Sequence, residues 1–327
     1  MDNQEVKTLE VELEGKDEIV TSQSQFMAHQ YRKQEFEELD GKASETLSKI
    51  DESVEILLKD KRLKTLDWLS RPGTDKQQQL RDRVGEANNS GKWLLESKAY
   101  TDWLTESHSS VWLYGASGCG KSILCSTVVK SLEESAEKNS NVIVAYWYID
   151  IADPLSQNLQ RLLRFVLRRI AAKATPFPEV VRDLEDKHQL PDSSPSTTAL
   201  IKTLTETVTA LEEDIFLVLD AIDEYQTSNK TLREEFLNLL VKLSNAQMQK
   251  LHLLVTSTAD TDIVNAFKRL QEPPVTIDVE RPVSIDVDAY LDAKINKYAE
   301  EKHWSPGITD KIYKALKYDG YETLIAA

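Results

Sequence analysis

The chain has 327 residues, of which 40% are hydrophobic, and a formal net charge of −15. This length allows one large domain or two of ordinary size, and the acidic balance argues against general attraction to nucleic acid or to an anionic membrane. The two cysteines, Cys119 and Cys125, fit neither a disulfide framework nor a zinc site, so a reducing, cytoplasmic compartment is expected. Nowhere do 18 apolar residues follow one another, so no membrane span is expected, and the acidic N-terminus does not resemble a signal peptide.

Residues 1–60 form the most acidic part of the chain, with 7 Lys/Arg and 16 Asp/Glu. The first 25 residues are poor in aromatics, which predicts disorder or a loose helix. From about Phe26 the pattern is helical, and the spacing of Leu47, Ile50, Val54 and Leu57 places them on one face. This face is either a short coiled-coil seam or a helix packed on its own domain, because two heptads are too few to decide. We expect an acidic, partly helical or disordered N-terminal extension.

A helical lead-in is predicted over residues 61–108. The stretch "LDWLSRPG" should end the preceding helix at Pro72-Gly73. Apolar side chains follow at Trp93–Leu95 and Tyr100–Leu104, and core packing is the expected role of their tryptophans.

Short apolar runs alternate with amphipathic segments from Ser110 onward. The predicted strands are "VWLYG", "NVIVAYWYID", "IFLVLD", "LHLLVTS" and "PVTIDV". The predicted helices are Lys121–Leu132, Asn158–Ala172, Thr198–Leu211, Leu232–Leu243 and Asp262–Leu270. Strands rich in Val, Ile and Leu that alternate with helices indicate an α/β fold with a parallel, doubly wound sheet over residues 109–282. Two further helical patterns, Val287–Lys302 and Ile308–Lys317, place the start of a helical segment in residues 283–327.

The stretch "GASGCGKS", Gly115–Ser122, matches the P-loop pattern G-x-x-x-x-G-K-[ST] between a predicted strand and helix. Glycines let the backbone wrap one phosphate so that several N–H groups point at it, and the N-terminus of the following helix favours negative charge. Lys121 is expected to reach the β- and γ-phosphates and Ser122 to bind Mg²⁺. The predicted nucleotide-binding residues are Gly115, Ser117, Gly118, Cys119, Gly120, Lys121 and Ser122.

The strand in "FLVLDAIDEY" ends in a cluster of acidic residues. Asp220 at its carboxyl end can hold Mg²⁺ beside the P-loop, and either Asp223 or Glu224 can orient or deprotonate an attacking water. The alternative is that these acids form a solvated turn with no function. That alternative is the weaker one, because the acidic strand end occurs together with a P-loop.

Several smaller features leave alternatives open. Cys119 lies at the N-terminal end of a helix and near Lys121, which favours a thiolate, but cysteine is also simply a small residue that fits the loop. Arg161, Arg164 and Arg168 share a helical face, for which a solvated surface is expected first and a partner surface second. Asn229-Lys230 lacks the aspartate of a guanine-reading N-K-x-D motif, which favours ATP over GTP only slightly.

The chain resembles NACHT-type P-loop NTPases of the STAND signalling class, and most closely the nephrocystin-like N-terminal domain of fungal NOD-like receptors. The likeness rests on "SGKWLLESKAYTDWL", "SVWLYGASGCGKSILCSTVV", "AYWYIDIAD", "FLVLDAIDE" and "LLVTST", in that order. It implies a sensor strand at Thr256, Ser257 and Thr258, where the family usually reads T-S-R. The guanidinium that would report on the γ-phosphate is therefore replaced by the uncharged Thr258. The stretch "KYDGYETLIAA" departs from the family pattern, so residues 283–327 are expected to be the start of a helical domain that is apparently truncated. A truncated product, an altered reading frame and a natural minimal form are the explanations left open.

These features predict a protein that binds ATP or GTP with Mg²⁺, hydrolyses it slowly and acts as a nucleotide-controlled signalling switch. The resemblance implies a homo-oligomer or an effector protein as partner. The alternative is a nucleotide-stabilised interaction module without significant turnover. A P-loop kinase would need an acceptor site, of which the sequence has no sign, and the fold alone does not separate these functions.

Overall fold

The computed structural model describes residues 3–70, 91–188, 193–245, 248–279 and 295–323. The chain divides into two compact units, Met1–Leu63 and Lys64–Ala327. The boundaries predicted from sequence at residues 60, 108 and 282 stay predictions. The expected helix end at Pro72-Gly73 and the first part of the helix expected from Val287 lie outside the described residues.

Elements in chain order are as follows. The N-terminal part contains α1 (Asn3–Leu69), α2 (Lys92–Leu95), α3 (Lys98–Thr105), β1 (Ser110–Tyr114), α4 (Lys121–Lys138) and β2 (Val142–Tyr148). The middle contains α5 (Leu159–Lys173), α6 (Glu179–Lys187), α7 (Thr197–Ala210), β3 (Asp214–Asp220) and a single 3₁₀ turn, Ile222–Glu224. It continues with α8 (Lys230–Asn245), β4 (Leu251–Ser257), α9 (Thr261–Phe267) and β5 (Val275–Asp278). Helix α10 covers residues 295–302, and α11 is Pro306–Thr323.

The first unit consists of most of α1, and the side chains of its residues 21–61 are exposed. The large apolar residues among them are exposed too, including Phe36 at 71% and the four residues at heptad spacing, Leu47, Ile50, Val54 and Leu57. Ion pairs one turn apart, such as Lys42 with Glu38 at 2.7 Å, support the helix locally.

The second unit contains a five-stranded sheet in the order β2-β3-β4-β1-β5, and all its strand pairs are parallel. The prediction of a parallel α/β sheet is thereby confirmed. From β1 the chain crosses to the far edge at β2, returns through β3 and β4, and passes over β1 to reach β5. The connections leave β1 toward opposite sides of the sheet, since β2 to β4 lie on one side of it and β5 on the other. Such a switch in strand order creates a crevice at the carboxyl ends of the strands, where α/β proteins bind ligands.

Helices cover both faces of this sheet, as buried strands require. Alternate residues of each strand point to opposite faces, so in β1 Trp112 joins one core while Val111 and Leu113 join the other. Helix α4 packs on one face together with α3, and helices α5 to α9 pack on the opposite face. Among the described helices, none is both long enough and apolar enough to cross a membrane.

Two of the three arginines on α5 are not part of a solvated face, which corrects the first expectation for them. Arg164 donates from Nη1 to the carbonyl of Trp68 at 3.2 Å and stacks over its indole ring, and Arg168 donates from Nε to the carbonyl of Leu66 at 3.1 Å. The last turn of α1 contains no basic residue of its own. These guanidinium groups therefore satisfy the carbonyls at the end of that helix and offset its dipole.

Candidate functional site

The loop between β1 and α4 is shaped by its backbone. Gly118 and Gly120 have φ of 78° and 95°, a left-handed conformation that residues with a Cβ adopt only at a cost. The amide of Gly115 donates to the carbonyl of Ser257 at 3.3 Å, which ties the start of the loop to the end of β4. Helix α4 starts directly at Lys121, with Gly120 as its N-cap residue. The free N–H groups of a helix N-terminus therefore belong to the loop, as an anion site requires.

The side chain of Lys121 lies within this loop. It is only 8% exposed, and its Nζ donates to the carbonyls of Gly115 and Ala116, both at 2.8 Å. The sulfur of the partly buried Cys119 lies 4.0 Å from the same ammonium. The loop thus holds one positive charge at its centre.

Asp220 is buried at the carboxyl end of β3. It is 2% exposed, and its Oδ1 accepts from the hydroxyl of Thr256 at 2.6 Å. The same hydroxyl accepts from the amide of Ala221 at 2.8 Å, so the side chain of Thr256 bridges β4 to the end of β3. Burial raises the pKa of Cys125 well above its ordinary value, and the charge of Asp220 adds to that rise. A buried carboxylate of this kind costs free energy unless it is hydrogen-bonded or meets a cation.

The two acids of the 3₁₀ turn have different partners. Asp223 Oδ2 accepts from the hydroxyl of Thr258 at 3.0 Å, whereas its Oδ1 is buried and has no partner among the described residues. Glu224 Oε2 accepts from the amide of Ile151 at 2.9 Å, in the loop after β2. The carboxylate of Asp223 therefore has one hydrogen-bonded oxygen and one buried oxygen without a partner among the described residues.

The three residues of the expected sensor strand each contact a different neighbour. Thr256 contacts Asp220, as described above. Ser257 is fully buried, and its hydroxyl accepts from the indole N–H of Trp112 at 2.7 Å. Thr258 is partly buried at the strand end, within reach of Asp223 and of Asp260 Oδ1 at 2.8 Å. Position 258 is therefore adjacent to the acidic turn.

Sequence reasoning missed Arg233 in α8. Its side chain is bound by the turn after β3, the loop after β4 and the first turn of α9, at Asp223, Tyr225, Asp260 and Asp262. A signal for it existed, because Arg233 precedes the buried Phe236, Leu237 and Leu240 at helical spacing and so occupies a core position.

Metal ligands are sparse in this region. Among the residues that the structure describes, no three His, Cys, Asp or Glu side chains form a group that could hold a metal ion. The hydroxyl of Ser122 and the carboxylate of Asp220 are nevertheless hard oxygen donors of the type that Mg²⁺ takes when phosphates supply its other ligands.

Comparison with known proteins gives a match in one family. The family described as Nephrocystin 3, N-terminal, matches residues 89–258, from the lead-in helices to the end of the sensor strand. No curated protein sequence matches the chain.

The chain also matches several solved structures, at low identity and low TM-score. The ORC2 protein of Aeropyrum pernix, solved as ADPNP–ADP complexes, is 17% identical with a TM-score of 0.38, over 67% of this chain and 52% of that one. Cdc6p from Pyrobaculum aerophilum is 15% identical with a TM-score of 0.33, over 69% and 56%. A Walker-type ATPase of Pyrococcus abyssi is 13% identical with a TM-score of 0.39, over 76% and 65%. The chain spans about half the length of the first solved proteins that it matches.

Proposed function

Because the chain belongs to the family of nephrocystin 3 N-terminal domains, we propose that it binds a nucleoside triphosphate, ATP or GTP, and hydrolyses it slowly. The observation that carries this proposal is the position of Lys121, whose ammonium lies inside a glycine-shaped loop at the N-terminus of α4. A phosphate in this loop would replace the carbonyls of Gly115 and Ala116 as the partner of the ammonium. It would also accept from the amides at the start of the helix.

Ser122 and Asp220 would hold Mg²⁺ in this proposal. Their oxygens suit that ion, and a cation would compensate the buried charge of Asp220. When bound, Mg²⁺ supplies charge neutralisation on the β- and γ-phosphates. Thr256 keeps the carboxylate oriented through its 2.6 Å hydrogen bond, so the position of the ligand oxygen is fixed before nucleotide arrives.

Of the two acids left open by the sequence, Asp223 is the better candidate for orienting the attacking water. Its Oδ1 has no partner among the described residues, whereas Glu224 already accepts a backbone hydrogen bond from Ile151. A base must have a free lone pair within hydrogen-bond reach of the water whose proton it takes, so this turn would have to open to expose the buried Oδ1. Glu224 would instead connect this turn to the loop after β2.

The biological role that we propose is a nucleotide-controlled switch of the NACHT and STAND type, as in NOD-like receptors. The loops after β2, β3 and β4 are joined by the hydrogen bonds of Glu224 and Thr258, so a ligand that moves one loop would move the others. An effector protein or further copies of the chain would respond to that change.

A nucleotide-stabilised interaction module without turnover is the second candidate. It is favoured by Thr258, because a neutral hydroxyl stands where an arginine could stabilise the transferring phosphate. The experiment that separates the two is direct: protein is purified, its bound nucleotide is released and identified, and phosphate release is then followed with added Mg-ATP and Mg-GTP. Absence of any bound or bindable nucleotide would disprove both candidates, whereas binding without phosphate release would leave only the second.

A further inference from the structure

Arg233 is the most completely bonded side chain near the site. It is 8% exposed, and Nε and Nη2 form a two-pronged contact with the carboxylate of Asp262 at 2.5 and 3.2 Å. Nη2 also donates to Asp260 at 3.1 Å, and Nη1 donates to the backbone carbonyls of Asp223 and Tyr225. All five N–H donors of the guanidinium are used by the protein itself. Arg233 can therefore not reach a phosphate without giving up one of these bonds.

These bonds join two segments that lie far apart in sequence. One is residues 222–225, the turn after β3, and the other is residues 258–262, which comprise the loop after β4 and the start of α9. A planar guanidinium fixes both the distance and the relative orientation of its acceptors, which an ammonium on a flexible stem does not. The raised pKa of Arg233, caused first by its hydrogen bond to Asp262, agrees with a cation held in this place.

Asp223 is held from two sides by this arrangement. Arg233 binds its backbone carbonyl, and the hydroxyl of Thr258 binds its Oδ2 at 3.0 Å. Thr258 has a single hydroxyl proton, which it shares between Asp223 and Asp260. The result is that one oxygen of Asp223 is occupied while Oδ1 stays buried and without a partner among the described residues.

We infer that Arg233 is a positioning residue, which clamps the turn after β3 to the loop after β4 and the start of α9 and thereby fixes the position of the Asp223 carboxylate, the proposed base. This inference rests on the proposed hydrolysis. Arg233 also supplies a positive charge beside the uncharged Thr258. That charge compensates Asp260 and Asp262 and does not contact the nucleotide directly.

The test compares Arg233→Lys and Arg233→Met with Arg169→Lys. Arg169 is a matched control because its guanidinium is also partly buried and hydrogen-bonded, at Glu133 and Tyr146 on α4 and β2, away from the two segments. We expect both Arg233 variants to lower kcat by about 10- to 100-fold, since misplacement of a catalytic group by about 1 Å has effects of that size. KM for Mg-ATP should stay within about twofold, and Arg169→Lys should leave kcat unchanged.

Hydrogen exchange measured on the same proteins reports on the clamp without relying on turnover. Amides of residues 222–225 and 258–262 should exchange faster in Arg233→Met, while those of residues 115–121 should not change. Unchanged kcat in both Arg233 variants, equal losses in Arg169→Lys, or a parent protein that binds nucleotide without hydrolysing it would each overturn the inference. Failure of the parent protein to bind nucleotide would instead disprove the proposed function itself.

Discussion

The loop between β1 and α4 and the segments at the carboxyl ends of β3 and β4 lie on the same side of the sheet but are held in different ways. These two segments, Asp220–Glu224 and Thr256–Asp262, are called the acidic ends below. The loop is a local structure, shaped by glycines at positive φ and by bonds from Lys121 to carbonyls five and six residues away. The acidic ends depend on contacts between residues about 35 positions apart, such as Thr256 with Asp220 and Thr258 with Asp223.

This difference indicates which property each region controls. A loop built from backbone and one cation should determine whether phosphate binds. A network of buried side chains from several elements should determine the stability of the sheet edge and the rate of any chemistry. Variants in the two regions should therefore have separable effects, and the following experiments test that separation.

The largest effect is expected from Lys121→Ala, which removes the cation at the centre of the loop. Losing one partner of a desolvated charge pair costs about 2–5 kcal/mol, so affinity for Mg-ATP should fall by about 100-fold or more in calorimetry. The stabilisation that nucleotide confers on thermal unfolding should disappear with it. Lys138→Ala, in the last turn of the same helix, is the control and should bind normally. Equal affinities of the two variants would refute the phosphate site.

Thr256→Val should destabilise the fold through the acidic ends. The substitution leaves the Oδ1 of Asp220 and the amide of Ala221 without their bonds to the hydroxyl, and an unsatisfied buried group costs about 1–3 kcal/mol. We therefore expect a loss of about 2 kcal/mol in the free energy of unfolding, measured by urea denaturation.

Thr207→Val is the matched control for that substitution. Thr207 is fully buried in α7, and its hydroxyl has no partner among the described residues. Its replacement should be neutral or slightly stabilising, because no hydrogen bond is lost. If Thr207→Val and Thr256→Val destabilise equally, the bridge between β3 and β4 is not what holds this edge together.

Thr258→Arg should raise turnover, because it places a positive charge at the position where the family resemblance predicts a sensor arginine. An arginine in such a position is worth on the order of 10³-fold in related chemistry. Here Asp223 and Asp260 contact position 258 and would bind part of the added guanidinium, so we expect a gain of about tenfold in phosphate release. Thr258→Val, which adds no charge, should not be faster than the parent protein. Rapid hydrolysis by the unmodified protein would show that another group supplies the charge.

The smallest effect should be a change in the alkylation rate of Cys119. This cysteine is partly exposed and lies 4.0 Å from Nζ of Lys121, so bound Mg-nucleotide should shield it several-fold from a thiol reagent. Cys125 is buried in α4 and should label slowly with or without nucleotide. Mass spectrometry of the two peptides reads both sites in one sample. Equal labelling of Cys119 in both states would mean that the thiol does not face the bound phosphates.

Much of the architecture could be predicted because it follows from periodicity. All five strands were predicted within a few residues. Strands β1 to β4 are mostly buried and are short apolar runs between helices, whereas the edge strand β5 is largely exposed. Helix α6, Glu179–Lys187, was not predicted. Val180, Val181 and Leu184 have helical spacing, but the helix has only nine residues, so the pattern is short. The helical face of α1 at Leu47, Ile50, Val54 and Leu57 was predicted from its spacing. The spacing does not determine whether this face is covered, and in the structure the four side chains are exposed.

The phosphate loop is the part of this protein that the sequence determines by itself. Its function depends on glycines, one lysine and the start of one helix within eight consecutive residues, so spacing along the chain is also spacing in space. The partners of Asp223, Glu224, Arg164 and Arg233 were decided only by the tertiary structure. Their hydrogen-bond partners come from other strands, loops and helices. The direction of a charged side chain near a core depends on which donors and acceptors the fold brings within about 3 Å.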